Sequence, residues 1–162
     1  MENSNCLKYL YEDIYLTEIP GEISLGISLM GCDIRCEGCH SQILWGTKGG
    51  KCLDSEKLKS LIDRHKLMSC ILFYGGEWNW EELKDRIIQS RDLGYAVALY
   101  SGRDLEWFNK NHPEYKTILD YIKVGNYSKE LGGLKDPTTN QRLYRIKDGE
   151  LTDITSIFWS TL

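Results

Sequence analysis

The sequence predicts an α/β fold with a parallel sheet, and three observations carry that expectation. Apolar runs of strand length recur about four times, each followed by a loop and then by a stretch with helical periodicity. That order demands right-handed parallel crossovers. The residues able to do chemistry fall at the ends of those runs, where such folds gather ligands: cysteines after the first, Gly75-Gly76-Glu77 after the second, Ser101-Gly102 after the third. A full eight-fold barrel takes roughly 250 residues. The 162 residues here leave an α/β layer or a single-domain partial (βα) barrel. Its core is expected over about 20–125, with an irregular extension over about 126–162.

Residues 22–30 alternate, with Ile23, Leu25, Ile27 and Leu29 on one face and Ser24, Gly26 and Ser28 on the other, which predicts a strand. The cysteine loop follows it. Asp54 or Ser55 can cap a helix whose apolar face is Leu58, Leu61 and Ile62. Cys70-Ile71-Leu72-Phe73-Tyr74 reads as a buried strand ending in two glycines. Asn79 followed by Glu82 has the form of a capping box, ahead of a helix marked by Leu83, Ile87 and Ile88. Tyr95 to Tyr100 is the third strand. A helix over about Asp104 to Asn111 should stop before Pro113, with a second short one before Asp120. Tyr121-Ile122-Lys123-Val124 is the fourth strand. Beyond Asn126 the pattern reads as loop, with a late strand over Leu143 to Ile146.

Hydrophobic residues make up 41% and charged residues 27% of the chain, the balance of an ordinary globular protein. A net charge of −4 argues against a general nucleic-acid or membrane-surface binder. No stretch of about 18 apolar residues is present to span a bilayer. The first residues have neither a basic nor an apolar signal region, so a cytoplasmic location is expected. In that setting six cysteines point to metal binding before disulfides.

Three of the six lie close together, as Cys32, Cys36 and Cys39 in a C-x3-C-x2-C run. A [4Fe–4S] cluster normally takes four thiolates, so three would leave one iron open, as catalytic metal centres do. A Cys3His zinc site with His40 is the competing reading. It is weakened because Cys39 and His40 are adjacent, whereas zinc ligands come two to four residues apart. Reduced bystanders are the third reading. An electron-carrying ferredoxin would want a fourth nearby cysteine, which is absent. Cys70 reads as a small core residue, and neither Cys6 nor Cys52 has an evident role.

The cysteine loop after a first strand, with Gly-Gly-Glu after the second, resembles the radical S-adenosylmethionine superfamily. More narrowly, Pro20-Gly21-Glu22-Ile23-Ser24-Leu25, Met30-Gly31-Cys32, Cys39-His40-Ser41 and Trp45 resemble the activating proteins of anaerobic ribonucleoside-triphosphate reductase. So do Lys123-Val124-Gly125-Asn126-Tyr127, Leu131-Gly132-Gly133-Leu134 and Thr139-Asn140-Gln141-Arg142. The resemblance covers roughly residues 12–147. It implies a partial barrel of the radical S-adenosylmethionine type and cluster ligands Cys32, Cys36 and Cys39. It also implies S-adenosylmethionine contacts at Gly38, Cys39, His40, Gly75, Gly76, Glu77 and Ser101 in Tyr100-Ser101-Gly102, with Glu77 receiving the methionine amine. No catalytic side chain is implied beyond the cluster and cofactor site.

The implied partners are the large subunit of the reductase, which would receive a glycyl radical, and a one-electron donor such as flavodoxin or ferredoxin. The sequence departs from the family at Trp78, where the family element continues with proline. Trp45, Trp78 and Trp107 are candidates for a docking rim or for packing at the core edge. Asn140 and Arg142 would meet the partner or hold the tail. Two other functions stay open: a small-molecule radical enzyme such as a 7-carboxy-7-deazaguanine synthase, and a non-catalytic, metal-stabilised interaction module.

Overall fold

The computed structural model describes residues 5–36, 38–39 and 41–159. They form a mixed α/β domain around one eight-stranded sheet, in the order β3-β1-β2-β4-β5-β6-β7-β8. The strands are β1 (Lys8–Tyr15), β2 (Ser24–Leu29), β3 (Lys51–Cys52), β4 (Cys70–Tyr74), β5 (Ala96–Tyr100), β6 (Tyr121–Val124), β7 (Arg142–Lys147) and β8 (Glu150–Asp153). The helices are α1 (Ser55–Arg64), α2 (Trp80–Asp92), α3 (Leu105–Asn111) and α4 (Tyr115–Ile118). No described helix is long and apolar enough to cross a membrane.

The four central strands β2, β4, β5 and β6 are parallel. The outer strands on both sides are antiparallel: β1 and β3 beyond β2, β7 and β8 beyond β6. The sheet is open, with β3 and β8 as its edges. Its ladder is therefore not parallel throughout. The segment expected to be irregular after residue 125 carries the β7–β8 hairpin, whose Lys147–Glu150 pair closes over Asp148, at φ 53°, and Gly149.

The apolar faces explain the layering. Leu58, Leu61 and Ile62 of α1, Leu83 and Ile87 of α2, Phe108 of α3 and Tyr115 of α4 are buried against Leu25, Ile27, Leu29, Ile71, Phe73, Val97 and Leu99. The four α-helices thus cover one face. On the other face Cys70, Leu72, Ala98, Tyr121 and Leu143 pack with Ile19 and Ile154. Both faces of β2 are consequently buried, Ser24 and Ser28 included, so its small-residue face is not a solvent face. Gly26 has no room for a Cβ, which would come within 2.4 Å of the Tyr15 ring.

Helix starts follow local chemistry in two cases and not in a third. Asp54 caps α1 by accepting from Lys57 N at 2.8 Å, and Asp104 caps α3 by accepting from Trp107 N at 2.8 Å. The capping box expected at Asn79 does not form. Asn79 makes no cap bond and its Nδ2 instead donates to Asn5 O at 2.8 Å, because a 3-10 turn over Glu77–Asn79 leads into α2.

Candidate functional site

The C-terminal ends of β2, β4, β5 and β6 come out on one side of the sheet, and a cavity of about 300 Å³ lies there. Cys32, Cys39, Gly75, Glu77, Ser101, Gly102 and Lys123 line it, within walls that include Tyr74, Tyr100, Trp45 and Trp78. Sequence-distant residues meet because parallel strands in register must end together.

The cysteine loop leaves β2 through Met30, whose N donates to Lys8 O at 2.8 Å. Gly31 N and Cys32 N both donate to Leu44 O, at 2.7 and 3.1 Å. The loop turns at Arg35, φ 54°, and Cys39 N donates to Cys36 O at 3.2 Å. Ser41 N donates to Cys39 Sγ at 3.3 Å, the contact a thiolate ligand takes from a backbone amide. Burial pushes the Cys32 thiol up, with Ile34 and Arg35 amides opposing. The loop is fastened from outside: Arg103 Nη2 pairs with Asp33 Oδ2 at 2.9 Å, and the Arg35 guanidinium lies 5.6 Å from the Trp45 ring centre.

The two glycines after β4 are required twice over. Gly75 and Gly76 take φ of 81° and 101°, in the left-handed region. A Cβ on Gly75 would meet the Trp78 ring at 2.5 Å, and one on Gly76 would meet Leu29 Cδ1 at 2.5 Å. Trp78 packs on this turn and donates from Nε1 to Met30 O at 3.0 Å. It thereby ties the glycine turn to the root of the cysteine loop.

Glu77 is 3% exposed, and neither carboxylate oxygen has a hydrogen-bond partner of normal geometry among the described residues. Burial raises its pKa; its own amide and Ser101 lie close enough to lower it in part. A buried carboxylate left without donors is costly.

Lys123, which the sequence reading passed over as part of a core strand, is the second charged group of the cavity. It is 8% exposed, and its Nζ donates to Ser101 O at 3.2 Å and Gly125 O at 3.0 Å. Burial lowers its pKa to about 8, against the charges of Cys36, Glu77 and Cys39. A lysine inside an otherwise apolar strand was the available signal. Arg103 and Asp33 were also missed, since nothing local in the sequence links them.

Of the expected site residues, Cys32, Cys39, Gly75, Glu77 and Ser101 line the cavity, while Cys36, Gly38 and Gly76 are not part of its lining. Gly38 takes φ 75°, with Lys129 and Tyr127 each 3.6 Å from where a Cβ would be. His40 lies outside the described residues. Trp45 and Trp78 line the cavity, whereas Trp107 packs against Phe108 beneath Arg103. Asn140 and Arg142 hold the tail: Asn140 Nδ2 donates to Asn126 O at 3.2 Å, and Arg142 lies over the Trp159 ring.

Cys32 and Cys39 line the same cavity, and the Ser41 amide donates to Cys39 Sγ, an arrangement that fits thiolate ligands of an iron–sulfur cluster.

No curated protein and no solved structure matches the chain. A family model described as a 4Fe-4S single cluster domain matches residues 21–147, most of the sequence and every part of the cavity named above. The chain therefore belongs to the 4Fe-4S single cluster domain family and is an iron–sulfur protein.

Proposed function

We propose that the protein is a radical S-adenosylmethionine activase that generates a glycyl radical on anaerobic ribonucleoside-triphosphate reductase. In this reading the parallel half of the open sheet is a partial barrel. Cys32, Cys36 and Cys39 hold the cluster and leave one iron for the cofactor. The observation that carries it is the pairing of a buried, donorless Glu77 carboxylate with a buried Lys123 ammonium in one cavity beside Cys32 and Cys39. An amino-acid moiety is the ligand chemistry that answers both: Glu77 accepts from its amine, and Lys123 neutralises its carboxylate.

The remaining residues orient and enclose. Gly75 lines the cavity, and the space a Cβ would take at Gly75 and Gly76 is filled by the Trp78 ring and Leu29, which fixes the turn that presents Glu77. Tyr74 and Tyr100, with ring centres 5.2 Å apart, and Trp45 offer apolar walls that exclude water and can flank a nucleobase. Held by Cys32, Cys36 and Cys39, a cluster would supply the one-electron chemistry that cleaves a sulfonium cofactor and so allows hydrogen-atom removal from a glycine of the reductase. Tyr11, which lines the cavity, and Ile43, in the turn that carries Leu44 and Trp45, are 42% and 67% exposed, a surface suited to an inserted loop of a protein partner.

Anaerobic reconstitution with iron and sulfide, then mixing with reductant, S-adenosylmethionine and the reductase, tests the proposal. A glycyl radical seen by electron paramagnetic resonance is expected. Cofactor cleavage without that radical, accompanied by turnover of a small molecule, would support a small-molecule radical enzyme instead. A reconstituted protein that leaves the cofactor intact would leave only an interaction module or electron carrier.

A further inference from the structure

A second pair of cysteines lies together away from the cavity, at the edge of the sheet. β3 pairs antiparallel with the start of β1, Cys52 opposite Lys8 and Lys51 opposite Tyr9. Leu53 N continues the ladder by donating to Leu7 O at 2.7 Å. Cys6 sits in the bend just before β1, two residues from Lys8, and the alternation of a strand puts it on the side of the ladder that Cys52 faces. The Cys6 thiol adjoins Cys52 closely enough to raise its pKa. Cys6 is buried and Cys52 is partly exposed, and both are free thiols. Cys70, by contrast, is enclosed on the sheet face opposite the α-helices, with Leu72 and Ala98.

We propose that Cys6 and Cys52 form a redox-active dithiol that closes to a disulfide by exchange with a low-molecular-weight disulfide. The accessible Cys52 attacks one sulfur of the small disulfide as its thiolate, releasing one small thiol and leaving a mixed disulfide on Cys52. Cys6 then attacks the Cys52 sulfur and releases the second small thiol. Two electrons pass from the pair to the small disulfide, and its two sulfurs leave protonated by the two thiol protons. Burial and the adjoining Cys6 and Asp54 hold Cys52 up to about 12, with Lys8 opposing, so the first attack is slow at neutral pH.

The closed ring would run from residue 6 to residue 52 and so enclose β1, β2 and all three cysteines of the loop. It would also fasten the ladder on which that loop is rooted. Lys8, opposite Cys52, accepts from Met30 N at 2.8 Å, and a Cβ on Gly50 would touch Met30 Sδ at 2.7 Å and Lys8 Cβ at 3.2 Å. The pair is thus a clasp beside the cluster loop, whichever reaction that loop serves.

The test uses the full chain and the full chain with Cys32, Cys36 and Cys39 replaced by alanine. Each is held without air in glutathione buffers of increasing oxidised fraction until the composition stops changing, then alkylated and mapped by peptide mass spectrometry. The expected result is one linked peptide joining Cys6 to Cys52, with loss of two hydrogens from the protein mass. Cys6→Ser and Cys52→Ser should each abolish it. Recovery of Cys6 and Cys52 as alkylated thiols, as separate glutathione adducts or linked to other cysteines at the most oxidising buffer would overturn the proposal. Because the map of the unsubstituted chain is itself decisive, the result does not depend on how the serine variants fold.

Discussion

Glu77 is the residue at which folding stability and the proposed function oppose each other. Its carboxyl is held above the usual range by burial, so the folded state keeps a proton that the unfolded state gives up. Between the ordinary glutamate range and the raised folded value the native state binds more protons, and stability falls as pH rises through that window. At neutral pH the apoprotein carries the cost of an unsatisfied buried group. Glu77→Gln should therefore raise apoprotein stability by about 1–3 kcal/mol in urea unfolding at pH 7 and flatten the pH dependence. The same variant should bind S-adenosylmethionine at least tenfold more weakly. Loss of stability would mean that the carboxylate is satisfied by the chain itself. Lys123 is the companion case. Its folded pKa, about 8, lies below that of a free lysine, so the unfolded state binds more protons and stability rises with pH between about 8 and 10.5. Lys123→Met should remove that rise while leaving the secondary structure intact by circular dichroism.

At the scale of elements, side chains couple the loops after β2, β4 and β5 to one another. Trp78 joins the glycine turn to Met30 O, and Arg103 joins the end of β5 to Asp33 in the cysteine loop. Trp78→Phe keeps most of the ring and removes the hydrogen bond. A cost of about 1 kcal/mol is expected, together with faster iron loss to a chelator than in the unsubstituted protein. Unchanged iron release would show that Trp78 only fills space. The caps give a plainer expectation: Asp54→Ala and Asp104→Ala should each cost about 1 kcal/mol in urea unfolding.

The same elements show what could be read in advance. β4 has the bounds expected from its continuous apolar run, and β6 those expected from an apolar run broken only by Lys123, since a strand buried on both faces needs no partner to be recognised. β1, β3 and β8 escaped because they are antiparallel outer strands that take their pairing from distant neighbours. Asn79 shows the limit of a local rule: the capping pattern is present, but a 3-10 turn and a contact to Asn5 use it otherwise. The cysteine loop was legible because three sulfur ligands lie within one segment. Lys123 and the Asp33–Arg103 pair were not, because the sheet alone brings them to the cavity.

For the whole molecule, an open sheet with a parallel centre collects a cysteine loop, a buried anion and a buried cation at one rim. The antiparallel flanks cover its sides and leave the rim free. Cys36→Ala should keep the far-ultraviolet spectrum of the parent and lose bound iron. The central claim is that the cluster keeps one iron open for an amino-acid ligand. It is tested most directly by the electron paramagnetic resonance spectrum of the reduced, reconstituted protein, recorded with and without S-adenosylmethionine. The account predicts that the cofactor shifts the cluster signal in the parent protein and fails to do so in Glu77→Gln. An identical cluster spectrum with and without the cofactor in the parent protein would contradict it.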